Sequence, residues 1–244
     1  MSIRAPHAYA SSSAAFFGGA VSSLTSVFSL VMLGTFVGIG ALAHGFGFSY
    51  WWLVVSTVVV WAGPAQVILI SALGSGGAMI DVAIAVSLSG VRLFPMVVAL
   101  LPLLRGKGTH TRDLLLPTHF TSVTTWVESL RLLPQLPHEQ RIAFCNGLSS
   151  GYMATAVVAG SIGFYLAASL PPLLAGALLF LTPMSFLCTT ARNARQLLDR
   201  LALVLGLSIE PVLTYFDVGL DLVWTGVGAG TLAYVVHRVR EAAQ

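Results

Sequence analysis

The sequence predicts an all-α polytopic membrane protein of about seven transmembrane helices (range six to eight), built as a 3+3 inverted repeat with Pro- or Gly-interrupted helices. Three observations carry this. Of 244 residues, 56% are hydrophobic and only 9% charged, against about 25% charged in soluble domains; the mean hydropathy is +0.87. No Lys, Arg, Asp or Glu occurs from Ala5 to Ile80 or from Ile142 to Ala191, and each stretch is long enough for two spans at about 20 residues apiece. Helix breakers also recur in the same order in two parts of the chain.

The N-terminal MSIRAPHAYASSSAAFF carries one Arg and no clear cleavable apolar region, so it reads as a short tail. Apolar runs then cover 19–43, 50–73, 78–104, 142–169, 172–191, 197–215 and 218–237. Helix is the default for each, because lipid-exposed backbone must bond within its own segment and nothing alternates like a barrel strand.

Between 105 and 141 the pattern changes to a basic loop and an amphipathic segment. LLLPTHFTSVTTWVESLRLLPQLPHEQR mixes apolar residues with Thr, Ser, His, Glu128, Arg131 and three prolines. It fits an eighth span, an interfacial helix or a re-entrant one. Charge favours a segment that does not cross. The clusters Arg105/Lys107/Arg112, Arg192/Arg195/Arg200 and Arg238/Arg240 then all face the cytoplasm. The expectation is seven spans, N-terminus outside and C-terminus inside, in one domain spanning 1–244.

Matching features recur in the same order in two halves: GTFVG at 34–38 pairs with GLSSG at 147–151, Gly63-Pro64 with Thr182-Pro183, and Pro95 with Pro211. Halves 15–104 and 142–217 would then run in opposite senses, a plan common among secondary transporters.

The motif WAGPAQ places Gly63, Pro64, Ala65 and Gln66 in the middle of an apolar run. Proline inside a helix frees carbonyls that lipid cannot satisfy. Such a break is either an ordinary kink or one wall of a polar site, where half-helix ends face a solute. FLTPMSF, with Thr182, Pro183 and Ser185, is the expected partner break. Arg92 lies about 18 Å along a helix from the end of its run, too deep for simple snorkelling. It reads as a counter-charge or gate, with Glu128 as its acidic partner by composition; both are gating or ion-coupling candidates. Leu53 is expected to face lipid.

Glycines four apart in GTFVG, GLSSG and GVGAG (226–230) allow close helix contact, within the chain or in a homo-oligomer. GLSSG also matches G-x-S-x-G, but a nucleophile elbow needs a strand-to-helix turn, so no enzyme is expected. Cys145 and Cys188 read as packing residues, the six His show no metal-ligand spacing, and the +3 charge sits in loops. No cofactor, metal or nucleic-acid partner is implied.

Ala62-Gly63-Pro64-Ala65-Gln66, Val91-Arg92 and Pro183-Met184-Ser185-Phe186-Leu187 together resemble the AzlC family, the large subunit of LIV-E type branched-chain amino acid exporters. The resemblance implies secondary, ion-coupled export of amino acids across the bacterial inner (plasma) membrane, with a small AzlD-like membrane subunit. The chain departs from the family pattern at Gly90, Leu93 and Thr121-Ser122-Val123, as a divergent member would. The alternatives are a non-transporting membrane scaffold subunit and a channel for small solutes.

Overall fold

The computed structural model describes residues 9–91, 93–106, 108–169, 197–216 and 221–242, with scattered positions from 171 to 194. Arg92, Thr182, Pro183 and Ser185 lie outside the described residues. The elements are α1 (Ser12–Leu24), α2 (Val27–Gly45), α3 (Tyr50–Val59), α4 (Gly63–Gly74), α5 (Met79–Val91), α6 (Leu93–Leu104), α7 (Thr111–His119) and α8 (Val123–Leu132). A 3₁₀ turn (Leu133–Gln135) leads into α9 (His138–Ser169), followed by α10 (Leu197–Tyr215) and α11 (Asp221–Ala242).

The chain forms a polytopic bundle of membrane helices. Among the described residues, α2 and α9 are each long and apolar enough to cross a membrane, and α5 with α6, meeting at 44°, makes a third as a bent pair. Three of the apolar runs are divided: 78–104 into the bent pair α5–α6, and 19–43 and 50–73 into two helices each. Run 19–43 breaks at Thr25-Ser26. There Thr25 Oγ1 donates to the Val21 carbonyl, and Ser26 Oγ accepts the Phe28 N–H as the cap of α2. Hydroxyl side chains that compete for backbone groups in this way end helices.

Run 50–73 does more than break: it turns back. The Gln66 amide reaches Ser56 and Thr57, yet nine residues of continuous helix would separate them by about 13.5 Å. A Cβ added at Gly74 would overlap the Phe46 ring, so α4 ends beside the end of α2, where α3 began. Helices α3 and α4 are thus the two arms of a hairpin, where one continuous span was expected. Pro64 lies in the first turn of α4 rather than in a helix interior, where its missing N–H costs nothing. Leu53 is 1% exposed within the core cluster that includes Phe36 and Tyr152, not lipid-facing. Trp51, Val55 and Val59 form the exposed face of α3 instead.

The segment after the basic loop forms a second hairpin. Leu114 near the start of α7 and Leu133 just after α8 share one apolar cluster with Leu104 and Phe144. The tip between them, at Phe120, packs against the other cluster. The arms of the two hairpins have 10 and 12, and 9 and 10 residues. At 1.5 Å per residue each arm spans roughly half of a 30 Å hydrocarbon core.

Helix α9 is the axis of this part of the molecule. Glycines carry α1 and α2 onto it: a Cβ at Gly147 would overlap the Phe16 carbonyl, one at Gly163 the Val37 carbonyl, and one at Gly40 the Gly160 carbonyl. Residue numbers rise together along both partners, so α1–α2 runs parallel to α9. Tyr9 and Gln140 exchange two hydrogen bonds, of 2.9 and 2.8 Å, at the shared start. The expected halves 15–104 and 142–217 require the opposite sense, and the helices do not adopt it. The outside N-terminus followed from counting 50–73 as a crossing. With that segment turned back, the N-terminal end lies with Arg141, whose Nη1 donates to the Leu103 carbonyl at 3.1 Å, at the end of the basic loop.

The GLSSG pair serves contact within the chain. At Gly34, Gly226, Gly228 and Gly230 an added Cβ would meet nothing within 4 Å among the described residues. Helices α10 and α11 pack on each other, and Thr225 Oγ1 donates to Glu210 Oε2 at 2.5 Å.

Candidate functional site

The two hairpins open toward opposite ends of α9, and their tips meet between those ends. Tyr50, at the open end of the first, contacts Ser161 Oγ at 3.1 Å; the second opens near Phe144. At the junction, Trp61 Nε1 donates to the Phe120 carbonyl at 2.9 Å. The His119 ring nitrogen lies 3.4 Å from the Val58 carbonyl. Trp61 is 5% exposed, stacked on Phe36 and edge-on to Phe120. The indole closes both tips because each tip has left the helical ladder and offers a free backbone group.

The first tip carries the Gly-Pro motif. Ala62 occupies the N-cap of α4 and cannot cap it with a side chain. Pro64 has no N–H, and among the described residues nothing accepts from the Gly63 or Ala65 N–H. An uncapped helix N-terminus carries partial positive charge and free donors, a setting suited to a carboxylate. Gln66 follows, 0% exposed. Its Nε2 donates to Ser56 Oγ at 3.1 Å and to Thr57 Oγ1 at 2.8 Å. Both hydroxyls spend their own protons on the Leu53 carbonyl, so they meet Gln66 as acceptors, which orients the amide. Gln66 Oε1 is left buried with no partner among the described residues.

The second tip is capped. Thr121 Oγ1 donates to the Pro117 carbonyl, and Ser122 Oγ accepts from the Thr125 N–H. One turn below, Glu128 is 5% exposed. Arg131 donates to its Oε2 from Nε at 2.9 Å and Nη2 at 2.6 Å, and Ser26 Oγ donates to its Oε1 at 3.2 Å. The carboxylate expected to serve Arg92 is therefore held by Arg131 and by the α1–α2 break.

Arg131→Met is expected to cost about 1–3 kcal/mol. A fully buried pair loses 3–5 kcal/mol, but solvent screens this guanidinium, which is 63% exposed. Adding Glu128→Gln restores most of that loss, because a neutral amide is cheaper to bury. Thermal unfolding of the single and double variants reads both effects; a double variant no more stable than Arg131→Met rejects the pairing.

Of the residues expected at a site, the structure brings Gly63, Pro64, Ala65 and Gln66 together and sets Glu128 in the neighbouring hairpin. The expected partner at Thr182-Pro183 lies outside the described residues; among the described residues, the break that meets Gly63-Pro64 is Phe120–Ser122. Its signal was the Pro117-Thr-His-Phe-Thr-Ser122 run, with a Ser N-cap following a proline by five residues. Trp61, Phe120 and Arg131 were not singled out, since an apolar run masks an indole and a short loop. Ser149 lies mid-helix in α9, and no His or acid is hydrogen-bonded to its hydroxyl among the described residues. That geometry is not a nucleophile elbow.

No curated protein and no solved structure matches the chain. The family model described as AzlC protein matches residues 9–170, a stretch that contains both hairpins and ends with α9. On that match the chain belongs to the AzlC family.

Proposed function

We propose that the protein is the large subunit of a secondary, ion-coupled exporter of amino acids, branched-chain or related small ones, in the bacterial inner membrane. A general membrane-transport role rests on the family and the membrane-length helices. The finer reading is carried by one observation: two half-length hairpins meet at their tips beside an uncapped helix N-terminus and a buried, half-satisfied glutamine. Non-helical backbone at such depth is tolerated where protein or a solute cavity covers it. The α4 N-terminus would take the solute carboxylate, with Gly63, Pro64, Ala65 and Gln66 lining the site. Arg92, Thr182, Pro183 and Ser185 would complete it from outside the described residues. Glu128 and Arg92 would serve gating or ion coupling, and a small AzlD-like subunit would assemble with the chain.

The topology that accompanies this reading has six crossings: α1–α2, α5–α6, α9, the run 172–191, α10 and α11. With two hairpins turned back, the N-terminus and all three basic clusters fall in the cytoplasm, which satisfies the positive-inside rule. Counterflow in proteoliposomes tests the function. Vesicles loaded with each of a panel of amino acids, with and without the small subunit, should transiently accumulate labelled branched-chain amino acid. Absence of counterflow across the panel overturns the reading, and a non-saturating conductance replaces it with a channel.

A further inference from the structure

Two hydroxyls on one face of α9 stand apart from the others. Buried hydroxyls in the described helices are tied down: Ser56 and Thr57 to Leu53, Thr121 to Pro117, Thr155 to Gly151, Ser129 to Cys145. Ser149, 1% exposed, and Tyr152, 0% exposed, have no hydrogen-bond partner among the described residues. Orphaned buried hydroxyls are rare and costly, and Ser149 forgoes the carbonyl one turn back that its neighbours use. Cys145, Ser149 and Tyr152 follow the helical period and share one face. Cys145 meets Ser129 of α8 on that face at 3.7 Å. Tyr152 lies beside Ser26, whose Oγ donates to Glu128 Oε1 of α8. Both hydroxyls therefore lie along the seam between α9 and the second hairpin, between its open end and the meeting tips.

We infer that this seam is a water-accessible passage toward the tips, and that the Ser149 and Tyr152 hydroxyls donate to a passing solute that carries a carboxylate. The inference rests on the transport reading above, but its first test does not depend on any solute being carried. In a chain with Cys145→Ser and Cys188→Ser, Ser149→Cys is exposed to a charged, membrane-impermeant methanethiosulfonate. A thiol reacts as its thiolate, which needs water. Ser149→Cys should be modified at least about tenfold faster than Ile70→Cys, a fully buried position on α4 of the other hairpin. Equal unreactivity of the two, with the exposed Thr111→Cys labelled, overturns the passage.

The second test removes one oxygen. Tyr152→Phe should leave the melting temperature unchanged or raised, because an unsatisfied group is gone. It should slow counterflow of whichever amino acids the unaltered chain carries by about tenfold, the worth of one hydrogen bond. A fall in melting temperature, or unchanged flux, makes the hydroxyl structural and overturns the solute contact. An unaltered chain that carries no amino acid sinks the proposed function alone, since the labelling result still decides the passage.

Discussion

Gly147→Val should yield almost no folded protein. Even the first added carbon would overlap the Phe16 carbonyl oxygen, and the facing Gly19 and Gly151 allow no retreat: a Cβ at Gly19 would overlap the Phe144 carbonyl. Overpacking against flexible side chains costs about 1–3 kcal/mol. Here the obstacles are backbone atoms of two helices in van der Waals contact, so α1 must leave α9 along its length. Close approach of backbones is the main attraction available between helices in lipid, where no hydrophobic force operates between them. Total stabilities of about 5–15 kcal/mol leave little margin for such a loss. Gly34→Ala is the control. Its Cβ meets nothing within 4 Å, and it gains helix propensity of up to about 1 kcal/mol. Thermal unfolding and size-exclusion yield in detergent compare the two. A Gly147→Val protein that melts within a few degrees of the unaltered chain would refute the parallel α1–α9 contact.

Gln66→Leu should separate stability from transport. Leucine removes two neutral hydrogen bonds worth about 1 kcal/mol each. Ser56 and Thr57 keep their bonds to the Leu53 carbonyl, so no donor is stranded. The change also removes the orphaned Oε1 and adds apolar burial. The net change in stability is expected to stay within about 1 kcal/mol. Counterflow, in contrast, should fall by about 10- to 100-fold, as one or two solute hydrogen bonds are lost. Flux that merely tracks the amount of folded protein would make Gln66 a latch between α3 and α4 and nothing more.

Much of this molecule can be read in its residues one segment at a time. The near absence of charge excludes a water-facing surface. The Gly63-Pro64 step ends one helix and opens another. The Thr-, Ser- and Pro-rich stretch after the basic loop stands apart from the plain apolar runs, with crossing, interfacial and re-entrant readings all open. Glu128 and Gln66 stand out as polar groups at apolar positions, and both are buried. The family was legible as well, because its motifs are local, and the matched residues 9–170 include two of the three that suggested it.

Direction was not legible. Ten residues of α3, a three-residue link and twelve of α4 that begin with Gly-Pro read alike as a kinked span and as a hairpin, since hydropathy sums over residues and ignores where they point. The choice is made by pairs far apart in the chain: Gln66 with Ser56 and Thr57, Gly74 with Phe46, and Trp61 with the Phe120 carbonyl. The same holds for α1–α2, whose parallel course along α9 depends on glycines about 130 residues apart meeting backbone to backbone. Composition alone settles that this chain lives in lipid, is helical and breaks at given points, because those outcomes follow from solvation and from the local chemistry of proline, glycine and hydroxyl side chains. Only tertiary contact decides that two of its segments turn back and meet, because a buried backbone group freed at one tip must find its partner on the other.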